Sequence, residues 1–398
     1  MCTRTLADLG ARVIKIENPR GGDFARHYDD VVHGLAAHFV WANRGKESIT
    51  LDLKNPDGMT VLHRLLDTAD VFVANLAPGA TAALGISPVE LRQRHPDLVV
   101  MEIDGYGAGG PLSHKRAYDL LIQAESGVCA VTGSPGAPAK PGPPIADVSS
   151  GLYAALTILA MICARRSPGA RTGGTAEPAP FTHASVSLFD TAAELMGYQL
   201  TYTRHTGVDQ QPLGMSSPAV APYGAYRTSD GETVVLGTTN DREWQRLARD
   251  LLDRPDLADD QRYAGNLDRV RLRTELDNEI AQWCARHDAA TVQARADAAG
   301  IGNSRFRTPR EVIAHPHLAA RDRWQEISTP AGSVTALLPP PVIAGFAPPM
   351  GAVPGLGEHT ETVLAAAGFT PSDIAELRDR GAIGTTTPAP SAVTATKG

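Results

Sequence analysis

Asp147 is the residue of this chain best placed to do chemistry. It ends a Gly/Pro-rich stretch, Pro141-Gly-Pro-Pro-Ile-Ala-Asp147. It precedes Leu152, Tyr153, Leu156, Ile158, Leu159 and Ile162, a run apolar nearly all round that predicts a deeply buried helix. An aspartate at such a helix start has two uses. It can cap the first backbone N–H groups, the ordinary role of Asp at that position. Held in a dry, oriented pocket, it can instead act as a nucleophile and form a covalent intermediate. The local pattern leaves both open. Upstream, His114-Lys-Arg-Ala-Tyr118-Asp119 adds a phenol, a second carboxylate and cationic side chains.

Other chemistries find less support. Gly105-Tyr-Gly-Ala-Gly-Gly110 satisfies G-x-G-x-x-G after a predicted strand. However, Pro111-Leu-Ser-His reads as a turn rather than a helix, and no strand ending in an acid follows at the distance a dinucleotide site requires. A loop over a ligand is the expectation there. His315-Pro-His317 and the rest of the 12 histidines form no cluster with zinc spacing, so no metal is expected. The serines near Gly151 lack the G-x-S-x-G elbow of a serine hydrolase. What remains is a polar set at element ends: Arg20, Asn43-Arg44-Gly-Lys46, Lys54, Asn75 and Lys115-Arg116. A parallel sheet would bring such residues together on an anionic ligand at its strand ends.

The elements that must position them are legible in outline. Runs at 13–17, 48–51, 71–73 and 98–103 alternate with helical patterns at 58–69 and 87–94. That alternation predicts a doubly wound α/β domain. Ser87-Pro-Val-Glu90 carries a helix-capping box. Residues 5–12 read as a helix running into the strand at Val13 with no strand ahead of it, so the first strand of the sheet is expected to be missing. Residues 167–180 read as a Gly/Pro/Thr-rich loop, and Ala184 to Asp190 as a strand or helix start. From Pro222, two short strands joined by Ser229-Asp-Gly231 precede helices to about Ala299, which predicts a smaller α+β domain. The expected division is a large domain at 1–210, a small one at 211–325, a return to the large domain at 326–384 and a disordered tail at 385–398.

Composition sets the limits. The chain has 398 residues, 42% hydrophobic and 20% charged, with 38 Gly and 30 Pro, as suits a loop-rich globular protein of two or three domains. A formal charge of -7 argues against broad electrostatic binding to nucleic acid or an anionic membrane. Cys2, Cys129, Cys163 and Cys284 show neither metal spacing nor disulfide density, so reduced thiols and a cytoplasmic location are expected. Neither a signal peptide nor an unbroken run of about eighteen apolar residues is evident.

Taken in order, several motifs resemble the class III CoA-transferases of the CaiB/BaiF type. They are Leu6-Ala-Asp-Leu-Gly-Ala-Arg-Val-Ile-Lys-Ile-Glu17, Gly21-Gly-Asp23, Asn43-Arg-Gly-Lys46, Leu51-Asp-Leu-Lys54, Asn75-Leu-Ala-Pro-Gly79, Gly105-Tyr-Gly107 and Ala146-Asp147 with Gly151-Leu-Tyr153. Tyr223-Gly-Ala-Tyr-Arg227, Gly237-Thr-Thr-Asn240-Asp-Arg-Glu-Trp244 and Leu356-Gly-Glu-His-Thr360 continue the likeness, which spans roughly residues 3–384. The resemblance implies a Rossmann-like large domain with a smaller α+β domain, in an interlocked homodimer. It implies CoA, as the acyl-CoA substrate, a carboxylic acid as the other substrate, and no metal.

By the same resemblance Asp147 is the nucleophile. It attacks the acyl-CoA thioester to give a mixed anhydride, and the freed thiolate then forms an aspartyl-CoA thioester that an acceptor carboxylate takes over. Arg20, Leu51, Lys54, Asn75, Leu76 and Arg116 match CoA-binding positions, and Tyr118, Asp119 and Asn240 match pocket positions. A phosphate-binding arginine of formyl-CoA transferase falls on Ala83. The glycine loop of that enzyme is replaced by Gly214-Met-Ser-Ser-Pro218, which disfavours formyl and oxalyl groups. Racemases of the family use a histidine and a glutamate where this chain has Tyr118 and Asn240. A phenol and an amide are poor bases at neutral pH, which favours transfer over racemisation. The alternatives are an acyl-CoA racemase or isomerase, and a CoA-binding protein made inactive by the missing first strand.

Overall fold

The computed structural model describes residues 1–166 and 182–384, so the loop and the tail expected at 167–180 and 385–398 lie outside the described residues. By contacts the chain divides into two units. The first comprises 1–126, 142–195 and the chain from 317 onward, and the second comprises 127–141 and 196–316.

The first unit starts with α1 (Cys2–Asp8), β1 (Val13–Glu17), α2 (Ala37–Asn43), β2 (Lys46–Thr50) and α3 (Pro56–Leu66). It continues through β3 (Val71–Ala74), α4 (Pro88–Arg94) and β4 (Val99–Asp104). Next come α5 (Asp119–Glu125), α6 (Ile145–Arg166), β5 (His183–Ser187) and α7 (Leu188–Leu195). The strands are parallel, as the short β-branched runs predict. They form two ladders, β1–β2 and β3–β4–β5, where the sequence reading expected one sheet. No ladder joins the two among the described residues, and apolar side chains make the link instead. Ile16 of β1 packs both with Ile49 and Val61 and with Leu62, Leu98 and Val100. The capping box at Ser87 and Glu90 forms as expected.

The second unit holds α8 (Gly197–Thr206), an antiparallel sheet of β6 (Tyr223–Arg227), β7 (Thr233–Gly237) and β8 (Gly302–Arg305), and helices including α9 (Asp241–Arg246), α10 (Arg273–Cys284) and α11 (Ala289–Ala298). Its core is built on Trp244, Leu247, Leu276, Ile280 and Val292, all fully buried. The chain then returns to the first unit with the hairpin β9 (Trp324–Thr329) and β10 (Gly332–Leu337) and the helices α12 (Thr360–Ala366) and α13 (Pro371–Asp379).

The deeply buried helix expected after Asp147 is only half buried. The face of α6 turned inward is small: Ala146, Ser150, Gly151, Ala154 and Ala155, with Ile158 and Met161. Leu152, Tyr153, Leu156 and Leu159 are exposed. Close approach explains the choice, because a Cβ on Gly151 would lie 2.8 Å from the Cys2 backbone nitrogen. Small residues let α1 pack onto α6, and the bulky ones are left on the outer face. By length and hydropathy α6 could cross a membrane, although its inner face packs on α1 and the sheet.

A similar close approach positions the turn after β2. Gly58, in the first turns of α3, lies so near the Asp52 carbonyl that a Cβ there would overlap it. Gly58→Ala is expected to displace the 51–54 turn and cost about 1–3 kcal/mol of stability, the usual range for overpacking. Urea unfolding with an unchanged m-value would show it, and a wild-type midpoint would refute it.

Candidate active site

The crevice of an open parallel sheet lies beyond the carboxyl ends of its strands. Most of the residues singled out by sequence arrive there. Arg20 follows β1, Leu51 and Lys54 follow β2, Asn75 and Leu76 follow β3, and the 105–118 loop follows β4. Helix α6 connects β4 to the parallel strand β5, so its start lies at the same end of the sheet, and Asp147 sits in its first turn.

The 105–118 loop owes its path to glycine. A Cβ on Gly105 would overlap Ala117, so only glycine lets the loop fold back on the end of β4 and set Arg116, Tyr118 and Asp119 there. Asp104 braces the turn by accepting the Gly107 N–H at 2.5 Å. The glycine-rich stretch opens no helix and is a loop, as expected.

Asp119 then does the capping that the sequence pattern offered to Asp147. Its Oδ1 accepts the N–H of Ala146 at 3.0 Å and that of Asp147 at 3.4 Å, while Oδ2 accepts from Gln123 Nε2 at 2.5 Å. The residue before the helix is Pro144, whose side chain has no acceptor. A carboxylate from α5 therefore satisfies the first turn of α6, and the Asp147 carboxylate accepts no hydrogen bond from the described residues. Asp147 stays open to solvent. Burial, and then the negative charge of Asp119, hold its carboxyl above the ordinary aspartate range.

Tyr118 is the residue before α5 and is 61% exposed. Asn240 lies in the second unit as the N-cap of α9, where its side chain accepts the Glu243 N–H at 3.0 Å. Among the expected CoA contacts, Arg20, Lys54, Arg116 and Leu76 are exposed and Leu51 is buried. Arg20 lies 3.7 Å from Asp52, tying the turns after β1 and β2 together. Asn75 donates to the Ile103 carbonyl at 2.8 Å, which links the ends of β3 and β4.

Two members of the expected basic set face the wrong way for an anion. Arg44 is buried in a forked pair with Asp8, at 2.9 and 2.8 Å. Lys46 is buried and donates to Asn43 Oδ1 at 2.9 Å. Burial, helped by nearby Lys15, lowers its ammonium to about 7. Lys115 is engaged by Glu125 at 3.3 Å.

Sequence reasoning missed an aromatic row in the same unit. Phe24, Tyr28, His38 and Trp41 follow one another at ring spacings of 6.2, 5.7 and 5.5 Å. The Asp147 carboxylate acts on the Tyr28 phenol and in turn feels His38. The signal was present in the spacing: Phe24 and Tyr28 stand four apart, and His38 and Trp41 three apart, the intervals that align side chains on a helical turn.

A family model described as CoA-transferase family III matches residues 1–360. The chain is 33% identical over 375 residues to the succinate–glutarate CoA-transferase of Agrobacterium fabrum, covering 90% of each. It is 32% identical over 383 residues to a probable fatty acyl-CoA transferase of Mycobacterium tuberculosis, Rv3272, covering 91% of this chain and 92% of that one. The crystal structure of Rv3272 superposes with a TM-score of 0.77 at 31% identity, over 91% of this chain and 94% of that one. A CaiB/BaiF family protein from Brucella suis gives 0.75 at 30% identity, over 91% and 93%. With a mixed α/β fold, parallel strands and a match over most of its length, this chain belongs to CoA-transferase family III and is an enzyme of that class.

Proposed function

We propose that the protein moves CoA from an acyl-CoA thioester to an acceptor carboxylic acid through covalent intermediates on Asp147. The observation that carries this reading is the Asp147 carboxylate itself: it stands in the first turn of α6, free of hydrogen bonds from the described residues, while Asp119 holds the helix start. A capping aspartate would be occupied, whereas a nucleophile needs its lone pairs.

In the proposed cycle an Asp147 oxygen attacks the thioester carbonyl, giving a mixed anhydride and CoA thiolate. The thiolate attacks the Asp147 acyl carbon, releasing the donor acid and leaving an aspartyl-CoA thioester. The acceptor carboxylate attacks that thioester, giving a second anhydride and thiolate. The thiolate then attacks the acceptor acyl carbon, so that the new acyl-CoA leaves and the Asp147 carboxylate is restored. Every step exchanges one acyl bond for another, and exclusion of water keeps the intermediates from hydrolysis.

Arg20, Lys54 and Arg116 would meet CoA phosphates as exposed cations, with Leu51, Asn75 and Leu76 along the nucleotide. Tyr118 and Asp119 would shape the acyl pocket beside Asp147. A homodimer is proposed because α6 leaves Leu152, Tyr153, Leu156 and Leu159 exposed on one helix, an apolar face suited to a second copy. A cytoplasmic location accords with four cysteines that show neither metal spacing nor disulfide density.

The central test is hydroxylamine trapping during turnover, followed by mass spectrometry, with a hydroxamate expected on Asp147. Asp147→Asn is expected to lower turnover by at least about 10³-fold, as loss of a covalent nucleophile does. The thermal midpoint should not fall, since the substitution removes a negative charge that stands beside Asp119. A fully active Asn variant would end the proposal.

The raised Asp147 carboxyl also sets the pH dependence. The nucleophile is the carboxylate, so activity fails as pH drops through its folded-state value, which lies above the ordinary aspartate value of about 3.9. Asp119→Asn keeps an acceptor oxygen for the α6 N–H groups and removes the neighbouring charge. It should therefore move the acid limb of the kcat/KM profile to lower pH, and an unmoved limb would count against the coupling.

Transfer also separates from racemisation in D2O. Tyr118 and Asn240 are poor bases at neutral pH, so no deuterium should enter the α-carbon of the recovered acyl-CoA, whereas rapid exchange would favour a racemase.

A further inference from the structure

The aromatic row of the first unit leaves much of its surface outside the core. Phe24 is 71% exposed, Tyr28 59% and Trp41 40%, although rings of this size are ordinarily drawn inside. Their order is maintained from behind. Asp23 caps the short turn 24–27 by accepting the Ala25 N–H, and Asp29 accepts the N–H of Ala37 at the start of α2 at 2.9 Å. Arg4 of α1 stacks on Trp41 at 5.8 Å, and α1 packs at Gly151, one turn along α6 from Asp147. An exposed aromatic wall on the 24–28 turn and α2 thus abuts α1, the helix that packs beside the nucleophile's helix.

The cations around this wall are already used. Arg26 is forked on Glu17 at 2.8 and 2.7 Å, and Lys15 pairs with Asp23 at 2.7 Å. Arg4 and Arg44 share Asp8 at 3.4 and 2.8 Å, and Lys46 is buried against Asn43. A second carboxylate on a substrate lying along the wall finds each of these arginines and lysines already engaged, and drawing Arg26 or Arg44 away would strand the buried Glu17 or Asp8.

Building on the transferase reading above, we propose that Phe24, Tyr28, His38 and Trp41 form the acyl-recognition wall, and that the preferred acceptor is an aromatic or long-chain apolar monocarboxylic acid rather than a dicarboxylic acid. The acceptor's single carboxylate meets the aspartyl-CoA carbonyl, displacing CoA thiolate as in the proposed cycle, while its ring or chain lies along the aromatic side chains. Rings stacked on rings gain both area and orientation.

The test is a competition among phenylacetate, octanoate, succinate and glutarate as acceptors for the full-length enzyme with acetyl-CoA as donor, with hydroxylamine trapping run in parallel. The expected result is a kcat/KM at least about 10-fold higher for the two monocarboxylates, the scale on which a hydrophobic pocket discriminates. Trp41→Ala should lower kcat/KM for phenylacetate by about 10–200-fold, on the same scale. Tyr28→Arg, which places an unpaired cation on the wall at an exposed position, should move the preference toward glutarate.

A wild-type preference for the dicarboxylates, with the hydroxamate still on Asp147, overturns the acceptor assignment and leaves the transferase reading standing. Absence of the hydroxamate with active donor overturns both. If Trp41→Ala instead splits an oligomer in sedimentation while the acceptor ratio stays at its wild-type value, the wall is an interface between copies and the proposal fails.

Discussion

The site depends on one carboxylate bonding to the start of a helix it does not belong to. Asp119, at the head of α5, takes the N–H groups of Ala146 and Asp147, and through them it fixes where α6 begins. Three consequences follow from that single contact. Helix α6 needs no cap of its own, so Pro144 can stand before it and fix the entry of the chain. Asp147 is released from capping and keeps its oxygens free. A negative charge is also brought beside Asp147, which makes its carboxylate harder to form and more basic once formed. Positioning and tuning are thus the work of one group.

That contact depends in turn on a backbone approach. The 105–118 loop must return to the end of β4 to deliver Asp119, and it does so because Gly105 has no Cβ to collide with Ala117. The glycine-rich run that looks like a nucleotide fingerprint is therefore spent on closing a loop. The likeness to G-x-G-x-x-G arises because tight loops at strand ends meet the same steric demand whatever they bind.

How much the sequence disclosed varies with the range of the interaction. The strands at 13–17 and 99–104 were legible because β-branched runs bounded by turn residues specify a strand locally. The capping box at Ser87 was legible for the same reason. Which carboxylate caps α6 was not, because the acceptor at that helix start comes from Asp119, in another helix. Nor was the orientation of α6, whose composition is apolar on every side. Gly151 and the alanines turn inward because α1 comes within backbone contact, a demand set by a partner segment rather than by hydrophobicity. Arg44 and Lys46 looked like anion binders at an element end, yet Asp8 and Asn43 hold them inside. Sequence position places a cation at a crevice; the pairing that silences it depends on a helix nearly forty residues away.

This inward pairing shapes the chemistry near Asp147 more than any exposed charge does. A buried arginine is tolerated only with an acid at hydrogen-bond distance, and each such pair presents nearly zero net charge to its surroundings. Glu17 illustrates the balance: burial pushes its carboxyl up, and Arg26 and the Ser48 hydroxyl more than offset that, so it stays ionised and neutralises Arg26. With Asp8 and Asp23 doing the same for Arg44 and Lys15, the segment from β1 to β2 is dense in charged residues but nearly neutral as a surface. Exposed cations with no ion pair among the described residues lie at other strand ends, Lys54 and Arg116 among them. Charge is thus partitioned within one unit, with cations open to an anionic nucleotide in one place and aromatic rings over neutralised pairs in another. Such a partition suits a substrate with a polyanionic carrier at one end and an apolar cargo at the other, joined at the bond that Asp147 would break.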